Sequence, residues 1–416
     1  MDRWLNKILL GLSEDVLGEL PDNCIDSIVT DPPYGLKFMG KKWDYDVPSV
    51  ALWEEAYRVL KPGAHVLSFG GTRTYHRMVV NIEDAGFEIR DQILWIYGSG
   101  FPKSLNIGKA IAGIRGEEIK RGVLKFKGGT QLGVINDDNW KPKDVYDEQV
   151  DNEWSGWGTA LKPACEPICL ARKPIEKTVA NNVLKWGTGG MNIDECRVEP
   201  TGERLGGGGE KRATFSGKEG WGRPWMDDPI KASSHAKKIK GNVERASELG
   251  RFPANVIHDG SDEVLQHFPE SNGQQGAVTG NEPSSSINNC YGQFNGRPAT
   301  TPRNDNGSAA RFFKQCNFTE DENEQRIKYC AKASTSERGD GNNHPTVKPL
   351  DLIKYLVKLI TPPDGIVLDM FGGSGTTALA CLDLGFPYIV IDKEPDHVFI
   401  ANERIKQATR QERIFL

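Results

Sequence analysis

The chain lacks the usual marks of a metal or redox protein. Its eight cysteines, at 24, 165, 169, 196, 290, 316, 330 and 381, include no Cys-x-x-Cys pair, and its seven histidines are dispersed. Neither His344 nor Cys165 with Cys169 has a partner at ligand spacing, so no metal is expected and the thiols read as reduced. No run approaches the roughly 20 apolar residues of a membrane span, and Met1-Asp-Arg-Trp-Leu-Asn-Lys7 has no signal-peptide stretch. A soluble cytoplasmic protein without membrane contact is the expectation. A basic excess is missing too: 52 Lys and Arg against 57 Asp and Glu leave a net charge of -5. DNA binders usually carry a basic face, so any such face here must be local. What is abundant is loop-forming sequence, with 46 glycines and 24 prolines in 416 residues and an apolar fraction of 38%. A core domain of about 230 residues carrying large insertions fits that composition.

The first hundred residues alternate strand and helix signals. Asp22 to Thr30 reads as a buried strand, Ser49 to Leu60 as a helix closed by Lys61-Pro62-Gly63, and Ala64 to Phe69 as the next strand. A helix from Thr72 to Ala85 and a strand from Phe87 to Tyr97 follow, giving half of a doubly wound α/β sheet. Beyond Gly98 the pattern dissolves, except for Glu166-Pro-Ile-Cys-Leu-Ala-Arg172, which is apolar enough for one more strand. From about Glu176 to Asn343 the chain is polar and glycine-rich, yet Trp186, Phe215, Trp221, Trp225, Phe252 and Phe268 argue against wholesale disorder. An irregular inserted domain is expected there. The last seventy residues return to α/β grammar: a helix from Leu350 to Ile360, a strand from Gly365 to Met370, and a glycine turn. A helix through Leu384, a strand from Tyr388 to Ile391 and a final amphipathic helix complete it.

Two motifs carry chemistry. Asp31-Pro32-Pro33-Tyr34 places a carboxylate, a proline-fixed carbonyl and an aromatic ring at a strand's C-terminal edge, where open α/β sheets hold ligands. By itself it also suits an ordinary strand-ending turn. Asp369-Met-Phe371-Gly-Gly373-Ser374-Gly375-Thr376-Thr377 is a strand entering a glycine-rich turn and a helix, with Asp392 seventeen residues past Gly375 at the next strand's end. Glycines there let a nucleotide-like ligand approach the backbone, and such an acid meets ribose hydroxyls. Dinucleotide enzymes usually open with this unit; here it comes last, which fits S-adenosylmethionine better.

With these residues the chain resembles the β-class amino DNA methyltransferases, including phage and prophage adenine methylases. Asp31-Pro-Pro-Tyr34 matches the catalytic motif, His344-Pro-Thr346-Val-Lys348-Pro349 the entry to the cofactor half, and Asp369 to Thr377 the cofactor loop. Gly98-Ser-Gly-Phe-Pro-Lys103-Ser104 and Trp157 to Pro163 resemble phage-type segments, and the likeness covers 20 to 175 and 340 to 405 well. The resemblance implies a Rossmann-like S-adenosylmethionine methyltransferase sheet in circularly permuted order, catalytic motif first and cofactor motif last, with a large irregular inserted domain. Residues 1–175 would form the catalytic half, with a loop insertion at about 99–160. Residues 176–340 would form a target-recognition domain and 341–416 the cofactor half. It further implies catalytic roles for Asp31, Pro32, Pro33 and Tyr34. Cofactor contacts would come from Asp369, Phe371, Gly373, Ser374, Gly375, Thr376 and Asp392, with Thr346 and Lys348 at the amino-acid end.

The implied reaction is methyl transfer to adenine N6 in double-stranded DNA. An exocyclic amine is a poor nucleophile because its lone pair is delocalised. Accepting its N–H groups on Asp31 and the Pro32 carbonyl would aim the lone pair at the donor methyl. The base must leave the duplex, and the ring of Tyr34, more than its hydroxyl, is the expected stacking surface. The Pro-Cys motif of a cytosine-C5 enzyme is absent. Phosphate contacts are expected from Lys231, Lys237, Lys238 and Lys240 with Arg245 and Arg251, and from a stretch opening at Lys103 and running through Lys109 and Arg115 to Lys127. Either stretch also suits a solvated surface. Asp31 rather than Ser at the motif's first position favours adenine over cytosine N4. A non-catalytic DNA-binding protein retaining the fold would not need the acceptor pair, and methylases of protein glutamine or RNA often use Asn-Pro-Pro-Tyr with the cofactor loop first. A homodimer and a separate restriction endonuclease stay open as partners, as does an orphan phage enzyme, since no nuclease motif is seen.

Overall fold

The computed structural model describes residues 1–36, 46–98, 104–117, 120–123, 146–199, 249–271, 307–317 and 347–414, with 233, 234, 237, 238 and 241. The chain divides into two compact units, Met1–Gly98 with Cys165–Leu416, and Ser99–Ala164.

The larger unit opens with β1 (Lys7–Leu10), α1 (Ser13–Gly18) and β2 (Ile25–Thr30). All six residues of β2 are buried, as a strand covered on both faces requires. Next come α2 (Val50–Val59), β3 (Leu60–Phe69), α3 (Tyr75–Asp84) and β4 (Glu88–Ile96). Ser49 caps α2 by accepting from the Leu52 N–H, which fixes where the helix starts. The smaller unit holds α4 (Ile107–Arg115), capped by Asn106 and ended by Gly116 at φ 67°, and the antiparallel pair β5 (Lys120–Val123) and β6 (Tyr146–Gln149). Trp154 and Trp157 meet there edge to face.

The larger unit resumes with β7 (Cys165–Arg172), α5 (Val179–Trp186), β8 (Val256–His258), α6 (Asp262–Leu265) and β9 (Lys314–Gln315). It ends with α7 (Leu350–Ile360), β10 (Val367–Asp369), α8 (Thr376–Leu384), β11 (Tyr388–Asp392) and α9 (Pro395–Ile414). Among the described residues nine strands form one sheet in the order β1-β11-β10-β2-β3-β7-β4-β8-β9. Every pairing is parallel except those of β7, which runs against both β3 and β4. The described parts of 176–340 belong to the larger unit, and β8 and β9 extend its sheet, an extension that the polar composition of that stretch does not signal.

Alternation along the strands separates two cores. Val29, Leu67, Val367 and Val390 face a core with Leu352, Ile353 and Leu356 of α7 and Ala378 and Cys381 of α8. Their neighbours Ile28, Val66, Leu368 and Ile389 face the other core, with Leu52, Trp53 and Ala56 of α2 and Met78 and Ile82 of α3. Period-two alternation with apolar residues on both sides is what a doubly wound sheet demands. The winding reverses between β10 and β2, which pair directly, Val367 opposite Ser27 and Leu368 opposite Ile28. Open α/β sheets bind ligands outside the carboxyl ends of strands at such a reversal. Among the described residues no helix is long and apolar enough to cross a membrane, and no group of three or more His, Cys, Asp or Glu could hold a metal.

Candidate active site

Both sequence motifs leave the sheet at this reversal. Asp31 follows the last residue of β2, and the glycine loop follows β10 beside it. A buried hydrogen bond joins them: the Thr30 hydroxyl donates to Asp369 at 2.7 Å. Asp369 also accepts from the Thr377 hydroxyl at 2.6 Å and the Phe371 N–H at 3.0 Å. Burial pushes its carboxyl up to about 6 despite these three donors. Both its oxygens are thus engaged inside the protein, shaping the loop that leads to the ligand edge.

The loop itself needs glycine at two points. Gly373 has φ 49° and Gly375 φ 81°, and a Cβ on Gly375 would lie 2.7 Å from that of Ala401 in α9. Arg404, on the same helix, donates to the Ser374 carbonyl at 2.7 Å, its hydroxyl at 2.9 Å and the Thr376 hydroxyl at 3.2 Å. Asp392, ending β11, accepts from the Gly373 N–H and the Glu394 N–H, each at 2.8 Å, with His397 Nδ1 at 3.2 Å. Burial disfavours its charge, but His397 and the two backbone donors outweigh that and hold the carboxyl below its ordinary value.

On the catalytic side, Tyr34 is held by its backbone and its ring. The Thr74 hydroxyl donates to its carbonyl at 2.5 Å, and its ring lies against Gly71, where a Cβ would come within 3.1 Å. Its hydroxyl reaches Asp31 Oδ1 at 2.8 Å and Glu166 Oε2 at 3.0 Å. The buried Lys348 ammonium lies 2.5 Å from Asp31 Oδ2, 3.3 Å from Glu166 Oε2 and 3.2 Å from the Tyr34 hydroxyl. Burial opposes the lysine's charge, yet the two carboxylates prevail and raise its pKa. Burial, then Asp31 and Glu166, push the Tyr34 phenol well above the ordinary tyrosine value, so it stays a neutral donor.

Structure and sequence thus bring together Asp31, Pro32, Pro33 and Tyr34 at one edge, with Phe371, Gly373, Ser374, Gly375, Thr376 and Asp392 beside them. Ser374, Thr376, Asp369 and Asp392 are nearly buried. Lys348, grouped by resemblance with the cofactor loop, has its ammonium on Asp31 and Glu166. Thr346 lies outside the described residues, as do Lys103, Lys231 and Lys240, whereas Lys237 and Lys238 are exposed. Sequence reasoning missed Glu166, Thr30, Arg404 and His397. The signal for Glu166 was an ionisable residue opening an otherwise apolar strand.

The fold and site define a doubly wound, Rossmann-like α/β protein with a strand-end carboxylate beside a glycine loop. A family model for DNA methylases of the N6/N4 kind matches residues 25–403, and the chain belongs to that family. Type II methyltransferase M.HindIII of Haemophilus influenzae is 30% identical over 141 residues, 33% of this chain and 36% of that protein. Type II methyltransferase M.BglI of Bacillus subtilis is 40% identical over 65 residues, 16% of this chain and 19% of that protein. The chain therefore spans about a third of the length, or less, of these curated relatives. Among solved structures, the M1.HpyAVI–SAM complex has a TM-score of 0.38 at 14% identity, covering 96% of this chain and 98% of that one. The cytosine-N4-specific PvuII DNA methyltransferase has 0.40 at 12%, covering 96% and 88%.

Proposed function

We propose that this protein is an S-adenosylmethionine-dependent DNA methyltransferase acting on N6 of an adenine flipped out of the duplex. The observation that carries the reading is the abutment of Asp31 and the glycine loop on neighbouring strands, tied by the bond from Thr30 to Asp369. When bound, S-adenosylmethionine supplies an electrophilic methyl on a sulfonium. The residues present suit such a ligand: Gly373 and Gly375 give the loop its left-handed turn at the sheet's ligand edge, and Asp392 retains a charge suited to ribose hydroxyls. Asp31 and Glu166 against one lysine leave surplus negative charge, complementary to a cationic donor.

Asp31 and the Pro32 carbonyl accept the target amine's N–H groups, and Asp31 takes the proton that the methylated nitrogen sheds. Alignment is the main catalytic resource, with no covalent enzyme intermediate. Tyr34 gives the base a ring to stack on. Adenine is preferred to cytosine N4 because the motif opens with Asp31. Residues 176–340 and the basic stretches, of which Lys237 and Lys238 are exposed, are assigned to DNA contact.

The test is single-molecule sequencing of DNA from a methylation-deficient host expressing the protein, with an Asp31→Ala control. N6-methyladenine at one short motif, absent from the control, is expected. N4-methylcytosine would overturn the base assignment and keep the mechanism; no modified base would overturn the activity.

A further inference from the structure

Glu166 lies outside both motifs, and its place at the site comes from the reversal of β7. Parallel strands deliver their last residues to the ligand edge, whereas an antiparallel strand delivers its first. Glu166, second residue of β7 and opposite Trp95, thereby arrives beside the end of β2. Its Oε2 is 3.0 Å from the Tyr34 hydroxyl and 3.3 Å from Lys348, and its Oε1 is 3.5 Å from the Tyr97 hydroxyl.

We propose that Glu166 is a positioning residue: it offers Lys348 and Tyr34 an alternative anion, so that Asp31 can turn its oxygens to the substrate amine. The proposal rests on the reading of Asp31 as the amine's acceptor. Both Asp31 oxygens are occupied here, one by Tyr34 and one by Lys348. An incoming amine must displace or share these donors. Water offers Lys348 little relief, because its side chain is only 9% exposed and its ammonium sits 4.8 Å over the Phe69 ring and 5.5 Å over that of Tyr34. Moving a buried ammonium away from a counter-ion with no other in reach is costly. With Glu166 already within reach, the ammonium shifts by a fraction of a bond length and keeps a counter-ion. The same holds for Tyr34, whose single O–H proton can point at either carboxylate.

Charge counting makes the idea testable. Asp31, Glu166 and Lys348 sum to -1; Glu166→Gln gives 0, Lys348→Met gives -2, and the double variant restores -1 with no lysine left on Asp31. Each full-length variant is assayed for methyl transfer to DNA with labelled S-adenosylmethionine, alongside cofactor affinity by calorimetry and thermal unfolding. Glu166→Gln should lower kcat by about 30-fold, the size of a charged hydrogen bond misdirected, with cofactor Kd and Tm nearly unchanged. Glu166→Asp, which keeps the charge, should fall between, and the double variant should recover about tenfold over Glu166→Gln. A Glu166→Gln enzyme with wild-type kcat, or a double variant no better than the single ones, overturns the proposal. Should the Gln variant unfold, the Asp variant and the double variant carry the same comparison. A wild-type chain inactive on DNA refutes the methyltransferase reading itself and, with it, this role; an active wild type with an indifferent Glu166 refutes the role alone.

Discussion

Replacing Asp369 by Asn should flatten one component of the protein's pH-dependent stability. The carboxyl is 3% exposed, and burial raises its pKa from 3.8 to about 6 against the pull of Thr377, Phe371 and Thr30. Below 3.8 the folded and unfolded chains both hold the proton; above it the unfolded chain releases it, while the folded chain keeps it to about 6. Stability from this group is therefore full at low pH and lost as pH rises through that window. The whole loss is about 3 kcal/mol, at about 1.4 kcal/mol per pH unit. Between about pH 5 and about pH 7.5 the remaining part is about 1.4 kcal/mol. Asn keeps the shape and one acceptor but cannot ionise. Urea unfolding followed by circular dichroism at those two pH values should show wild type gaining about that amount over Asp369→Asn on acidification. Parallel curves for the two proteins would refute the assignment of a buried carboxylate with a raised pKa.

Two further outcomes separate the parts of the site. Tyr34→Phe keeps the ring and loses the hydroxyl bonded to Asp31 and Glu166, so kcat/KM should fall by about tenfold. Tyr34→Ala loses the stacking face as well and should fall by about 100-fold or more in the same steady-state assay; equal losses would remove the stacking role. Arg404→Ala frees Ser374 and Thr376, so cofactor Kd by calorimetry should rise by about tenfold with kcat at saturating cofactor nearly unchanged; an unaltered Kd would mean the loop holds its shape alone.

Strands buried on both faces were legible in the sequence because clusters of Ile, Val and Leu mark them: β2, β7, β10 and β11 fall close to where those clusters lie, whereas β3 begins at Leu60 and runs through the Lys61-Pro62-Gly63 that reads as a break. The helix Leu350–Ile360 has the bounds its apolar spacing suggests. β1 has four residues, β8 three and β9 two, too few for periodicity to speak, and each is a strand only because an edge of the sheet is there to pair with it. Asp31 and the glycine loop stood out because rare residue types cluster there. Glu166 did not, because strand direction is a tertiary property: nothing local in Glu166-Pro-Ile-Cys says that the chain is entering the ligand edge rather than leaving it. Arg404 reads in sequence as one more charge on a solvated helix face, and only the seating of Ala401 against Gly375 turns it toward the loop.

The reversed strand also bears on how such a protein can change over time. Ile96 of β4 and Cys165 of β7 are register partners, so the unit at 99–164 departs from and returns to adjacent points of the sheet, as a hairpin loop does. Closing a loop between fixed neighbouring ends depends only weakly on its length, about 0.6 kcal/mol for each doubling. Sequence can therefore be exchanged, lengthened or trimmed at this junction with little consequence for the sheet. The edge that gathers the reactive groups is thus also one where inserted sequence can vary while the strands that carry those groups stay paired.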